Sequence, residues 1–228
     1  MSPHQPSPLL HGVEIIHWIA LGAMALVYTL RIRWLLSFRA TRDRQRPGRP
    51  DRTDGRRGGY YSLANVMMPW AMESTRRGFA FYLTFVLFHL GVVAGISLAF
   101  LSTLWRSFLQ FPAVSAALLT LLLGAFAVGL YRIVRRLARP VMRLISTPDD
   151  YFSVTLLTVW FLLGALAQLH VVGRLPGEGL IVAYLLLTSF FLLYVPFSKI
   201  SHYLYYPFTR FWLGRTLGHR GTFPPVRG

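Results

Sequence analysis

Five ionisable side chains sit inside otherwise apolar stretches of this 228-residue chain: Glu14, His17, His89, His170 and His202. A titratable group in a hydrocarbon setting is costly to place, so each is a candidate for work that solvated residues do not do. Cysteine is absent, which removes disulfides, thiolate-held iron-sulfur clusters, thioether haem attachment and thiol nucleophiles together. Any redox centre carried by this chain must therefore be held by histidine. There is no glycine-rich phosphate loop, nucleophile triad or zinc-ligand spacing, so hydrolytic and nucleotide chemistry have no residues to act through. His4, His11 and His219 lie in the tails and read as solvated side chains.

His89 lies in Leu87-Phe88-His89-Leu90-Gly91-Val92-Val93-Ala94-Gly95, with no charge nearby to pair with it. Its imidazole either hydrogen-bonds a neighbouring helix or ligates a metal. Gly91 and Gly95 form a GxxxG pattern, which serves close helix packing or leaves room for a flat macrocycle; the spacing is the same for both. His202 lies in Pro196-Phe197-Ser198-Lys199-Ile200-Ser201-His202-Tyr203, where the last apolar stretch ends. A bis-histidine haem needs both ligands at similar depth. His89 falls ~5 Å inward of its span centre, whereas His202 falls ~20 Å inward if its helix ends at Ser198. Continuing that helix through the aromatic run to Tyr206 cuts the mismatch to ~6 Å, so a continuous helix is expected there.

His17 and His170 form a second pair, ~6 Å and ~12 Å outward of their span centres. Glu14 precedes His17 by three residues and shares its helical face. Glu-x-x-His is the motif of di-iron bundles, but those need a second copy and further glutamates, which this chain lacks. Three readings stay open for the pair: a second haem, a quinone site where imidazole and carboxylate exchange protons with a quinol, or plain interfacial placement. Asp149 and Asp150 read as N-terminal helix caps.

The elements that must position these residues follow from composition. Hydrophobic residues make up 54% of the chain and charged residues 14%, far from the soluble average and consistent with an all-α integral membrane protein. Five stretches are long enough to cross the bilayer, at about 12–30, 79–105, 107–131, 151–173 and 179–206. No basic residue precedes the first stretch and Arg31 and Arg33 follow it, so it reads as an anchor and not a cleaved signal. Pro112 predicts a tight turn between the second and third spans. Segments 31–77, 132–150 and 199–228 hold 22 of the 24 Lys and Arg residues, leaving Arg106 and Arg174 for the other side. The positive-inside rule then puts the N-terminus outside and the C-terminus in the cytoplasm, in one membrane domain. The same sorting excludes nucleic acid as the reason for the net charge of +16, because the cations flank apolar spans on one side. Within the basic loop 31–77, the stretch from Arg46 to Gly59 is expected to be a flexible tether, and Tyr60 to Met72 a short interfacial helix. Its arginines suit either anionic lipid or a cytoplasmic partner.

Phe88-His89-Leu90-Gly91, together with Tyr194-Val195-Pro196-Phe197-Ser198-Lys199-Ile200-Ser201-His202, resembles the gamma subunit of respiratory nitrate reductase. Related membrane cytochromes occur in heterodisulfide reductases and in sulfite-reductase-linked and hydrogenase-linked complexes. The resemblance covers most of the chain after residue 75. It implies a haem-binding bundle of helices 2–5 in a prokaryotic cytoplasmic membrane, with His89 and His202 as axial ligands of haem b. It also implies electron transfer between membrane quinone and a cytoplasmic iron-sulfur subunit, nitrate-reductase-beta-like or heterodisulfide-reductase-like, joined to a catalytic subunit. Two-haem relatives hold an outer haem through positions that fall near Ala99 and Tyr184, and neither residue can ligate it in that way. The resemblance therefore implies one haem, with His17 and His170 the remaining candidates for a relocated second haem or a quinone site. The rival class is a haem-free scaffold or small transporter. Transport would call for internal repeats or midplane charge pairs, and the sequence has neither.

Overall fold

The computed structural model describes residues 7–38 and 43–225. Every regular element among them is helical. Five helices are long and apolar enough to cross a membrane. They are α1 (Pro8–Ser37), α4 (Phe79–Leu104), α5 (Pro112–Ala138), α7 (Pro148–Val171) and the helical segment Gly179–Phe197, whose α-helical part is α8 (Gly179–Tyr194). Shorter helices are α2 (Gly55–Ala64), α3 (Glu73–Arg77), α6 (Pro140–Ile145) and α9 (His202–His219). The expected spans stand with shifted ends; α1 continues past Arg31 and Arg33 to Ser37. The turn before α5 is a 3₁₀ segment, Arg106–Gln110, and Pro112 sits in the first turn of α5, where its missing N–H costs nothing. Thr147 and Asp150 form a capping box at the start of α7, the Thr147 N–H reaching Asp150 Oδ2 at 2.8 Å. Thr147→Ala is expected to remove about 1 kcal/mol, read as a lower thermal midpoint of the purified protein.

The chain divides into two compact units. The first comprises residues 1–24 and 83–194, hence the first half of α1, most of α4, and α5 to α8. Its core is apolar and tightly packed: Leu98, Leu122, Phe161, Tyr184 and Leu185 are fully buried. Small residues set the helix spacing. A Cβ at Gly91 would collide with the Ala125 methyl on α5, and a Cβ at Gly95 would run into the Trp160 ring on α7. The GxxxG of α4 is thus filled by protein on its own side of the helix. The Trp160 indole lies 6.0 Å from the Tyr184 ring at 16° and donates to Thr188 Oγ1 at 2.8 Å; the Tyr184 hydroxyl donates to the Gly95 carbonyl. Tyr184→Phe is expected to cost about 1 kcal/mol by removing this buried bond, read as a lower urea midpoint.

The second unit comprises residues 25–82 and 195–228, and here two expectations fail. The fifth helix does not run through to Tyr206. It stops at Tyr194, is followed by 3₁₀ turns at Val195–Phe197 and Lys199–Ser201, and α9 begins at His202. Pro196 brings no amide hydrogen to continue the ladder, and Ser198 is extended (φ −106°, ψ 171°) with its Oγ accepting from the Ile200 N–H at 3.2 Å. The hydropathy of the aromatic run concealed this break, and the depth match between His89 and His202 that a continuous helix was expected to give is lost with it.

The expected tether is in part a packed helix: its last five residues, Gly55 to Gly59, open α2, while Arg46 to Asp54 hold only a 3₁₀ turn at Pro50–Arg52. Asp54 caps α2, its Oδ1 accepting from the Arg57 N–H at 3.0 Å. Gly58 and Gly59 are buried against α9, where Gly58 meets the backbone of Gly214 and Gly218, and Gly59 meets the Phe211 ring. Any Cβ at Gly58 or Gly214 would strike main chain, so the two backbones approach as closely as glycine allows. Arg210 donates to Asn65 Oδ1 at 2.8 Å, and the Asp54 N–H bonds the Gly218 carbonyl at 3.1 Å. Tyr60 to Met72 is accordingly the last turn of α2, a 3₁₀ turn at Asn65–Met67 and a loop, not a separate interfacial helix. Arg220 bonds Asp43 at 2.6 Å and holds its carboxyl below the usual carboxylate range. A lowered folded-state pKa makes this tie fully present at neutral pH and lost as pH falls through that lowered value.

Candidate functional site

The in-span histidines are best taken on the helices that carry them. On α4 the buried face is Phe88, Gly91, Ala94, Gly95, Leu98, Ala99 and Ser102. His89 falls outside that stripe, exposed beside Leu90 and Val93 on the outward surface of the helix. Its ring lies 4.2 Å from the Phe85 ring, and its Nδ1 lies 2.8 Å from the Phe85 carbonyl. A carbonyl only accepts, so Nδ1 carries a hydrogen and donates to it. A backbone carbonyl behind Nδ1 is the usual device for orienting an Nε2 metal ligand. The adjacent Phe88 ring packs 5.1 Å from Phe161 and lies 4.3 Å beneath the Arg132 guanidinium.

His202, in the second unit, starts α9 and is exposed. Its Nδ1 lies 3.0 Å from the Lys199 carbonyl and donates to it. Among the described residues no group of three or more His, Asp or Glu could hold a metal ion by itself.

The positions at which the resemblance would place an outer haem hold no histidine. Ala99 and Tyr184 are buried in the first unit, and Tyr184 spends its hydroxyl on Gly95 while stacking on Trp160. Protein side chains fill that part of the bundle.

His17 and His170 meet different partners. His17 is 1% exposed on α1, with Nδ1 3.5 Å from Ser189 Oγ on α8 and edge contacts to Trp18 and Phe100. Its Nε2 is buried without a hydrogen-bond partner. His170, in the last turn of α7, has both nitrogens engaged: Nδ1 donates to the Leu175 carbonyl at 3.1 Å, and Nε2 accepts from Arg106 at 3.3 Å. Glu14, half-buried one turn before His17, lies within electrostatic range of Arg106 and His11. This end of the first unit thus gathers Glu14, Arg106 and His170, with His17 a turn deeper on the helix of Glu14. Counting only ionisable groups passed over two further participants. Gln168 is fully buried and donates to the Leu109 carbonyl at 2.8 Å, and the Trp160–Thr188–Tyr184 chain closes the core. Amides and hydroxyls at buried helical positions were the signal that could have found them.

A protein of Nitratidesulfovibrio vulgaris (strain Hildenborough), described only as "Protein", is 27% identical over 211 residues, covering 91% of this chain and 89% of that one. No family model matches the chain, and no solved structure matches it.

Proposed function

We propose that the chain is the membrane-anchoring b-type cytochrome subunit of a respiratory redox complex, moving electrons between the quinone pool and an iron-sulfur partner. The observation that carries this reading is His89. It is an imidazole on the outward face of a helix long and apolar enough to span a membrane, with Nδ1 donating to the Phe85 carbonyl, so that the neutral ring would present its lone pair at Nε2. An imidazole in hydrocarbon is retained where it has a task, and metal ligation is the task this tautomer suits.

In this reading His89 and His202 hold haem b through Nε2. Bound there, the haem supplies a reversible one-electron couple. The Phe85 and Lys199 carbonyls hold the two rings in the ligating tautomer, and the Arg132 cation over Phe88 contributes positive charge near the ligand-bearing turn of α4. The filled core at Ala99 and Tyr184 supports one haem per chain over two. Glu14 and His17 are assigned to proton exchange with quinone, since His17 Nε2 is the buried nitrogen still able to take a proton. His170 is left as a clasp for Arg106.

The 22-to-2 distribution of cations supports an outside N-terminus and a cytoplasmic C-terminus in a prokaryotic inner membrane. With no cysteine, the chain passes its electrons to another polypeptide. That partner is a cytoplasmic iron-sulfur subunit of the heterodisulfide-reductase or nitrate-reductase-beta kind, together with a catalytic subunit. The test is to add a quinol analogue to the detergent-solubilised full chain under argon. The reading expects the α-band of a reduced b-type haem to grow; an absorbance that responds to dithionite and not to quinol would contradict it.

A further inference from the structure

The helix pair α2–α9 is clamped to the ends of membrane-spanning helices by side chains within its own unit. The Tyr28 hydroxyl on α1 lies 2.6 Å from that of Tyr203 on α9. Arg31 donates to the Pro196 carbonyl and, at 3.4 Å, to the Tyr205 hydroxyl. Tyr82, in the first turn of α4, donates to the Val66 carbonyl just past α2 at 3.1 Å. Tyr28 to Arg31 form the turn of α1 where its apolar run gives way to charge, just before Arg33, and Tyr82 lies in the first turn of α4. These bonds tie the start of α9 and the end of α2 to the turns at which the apolar runs of α1 and α4 meet charged sequence.

The charge of this unit is one-sided. Its described residues include fourteen Lys and Arg but only four carboxylates. All four are engaged: Asp43 with Arg220, Asp51 with Arg52, Glu73 with Arg77, and Asp54 at the α2 cap. Arg56 and Arg57 on α2 and Arg215 on α9 are exposed, and no carboxylate among the described residues lies within ion-pair distance of them. Tyr60 and Trp212 are exposed on the same two helices.

We propose that the α2–α9 pair is a binding surface for anionic phospholipid headgroups. Arg56, Arg57 and Arg215 take phosphodiester oxygens, and Tyr60 and Trp212 rest at headgroup depth. Arginine with interfacial aromatics is the composition of helices that lie on a membrane, and guanidinium binds phosphate through paired N–H groups. Lipid is favoured over a protein because the clamps already bring the pair to the bilayer edge.

The test uses the full chain in nanodiscs of phosphatidylcholine alone and of equal phosphatidylcholine and phosphatidylglycerol, followed by hydrogen exchange of α2 and α9 peptides. Exchange is expected to slow several-fold with phosphatidylglycerol at low salt and to return to the phosphatidylcholine rate at high salt. A variant carrying Arg56→Gln, Arg57→Gln and Arg215→Gln is expected to exchange alike in both discs. Equal wild-type exchange in the two discs overturns the proposal without use of the variant. Protection that arises in phosphatidylcholine discs only after a soluble cell fraction is added overturns it too, giving the face to a protein. Haem enters neither measurement, so the result stands apart from the cytochrome reading.

Discussion

His89→Ala is expected to yield a folded, membrane-inserted chain whose b-type absorbance has fallen at least about tenfold. The two halves of that result have separate causes. The fold survives because α4 packs through Phe88, Gly91, Ala94, Gly95 and Leu98, a stripe that does not include His89. Removing an exposed imidazole leaves no cavity in the packed face of α4, so its effect on stability is expected to stay within ~0.5 kcal/mol. The absorbance goes because, on the proposed reading, both imidazoles would hold the haem, and a chain with one of them would retain it only weakly. His202→Ala is expected to do the same, whereas His170→Ala leaves the spectrum unchanged and frees Arg106. Absorbance per milligram, set beside the far-ultraviolet circular dichroism of each variant, checks both halves.

Gly214→Leu is expected to separate α9 from α2. The Cβ introduced there would strike the Gly58 carbonyl and the Ser62 side chain, and main chain does not yield as a flexible side chain would. Overpacking of this kind costs about 3 kcal/mol, at the upper end of what cores show. Opening of the pair should then increase roughly a hundredfold, since every 1.4 kcal/mol is about tenfold in an equilibrium. Tryptic cleavage within residues 49–57 and at Arg210 or Arg215 reports that opening. Gly12→Leu is a fitting control, because nothing lies near its Cβ position.

The spans were legible because the bilayer imposes a length of about 20 apolar residues, a requirement that survives any ambiguity in packing. His89 was legible for the same reason, as a polar exception inside such a run. The break at Pro196 was hidden, since Tyr203 to Tyr206 keep the hydropathy of an interface whether or not the helix is continuous. The α2–α9 pair was misread because Gly58, Gly59 and their arginine neighbours look like a loop by composition. Their partner, Gly214-x-x-x-Gly218, lies in a distant part of the chain, and a long-range pairing leaves no local pattern. The GxxxG of α4 had two readings from spacing alone, and only the position of the Trp160 ring against Gly95 assigns it to helix packing. His17 and His170 looked equivalent by depth. Their partners divide them, one nitrogen of His17 being buried and unbonded while both of His170 are taken.

The central claim, one haem b held by His89 and His202, is tested most directly by a pyridine haemochrome assay on the purified full chain beside a reduced-minus-oxidised spectrum. The account predicts a b-type difference spectrum and one haem per chain. A preparation with no reducible b-type band would contradict it, as would two haems per chain or a band undiminished by His89→Ala.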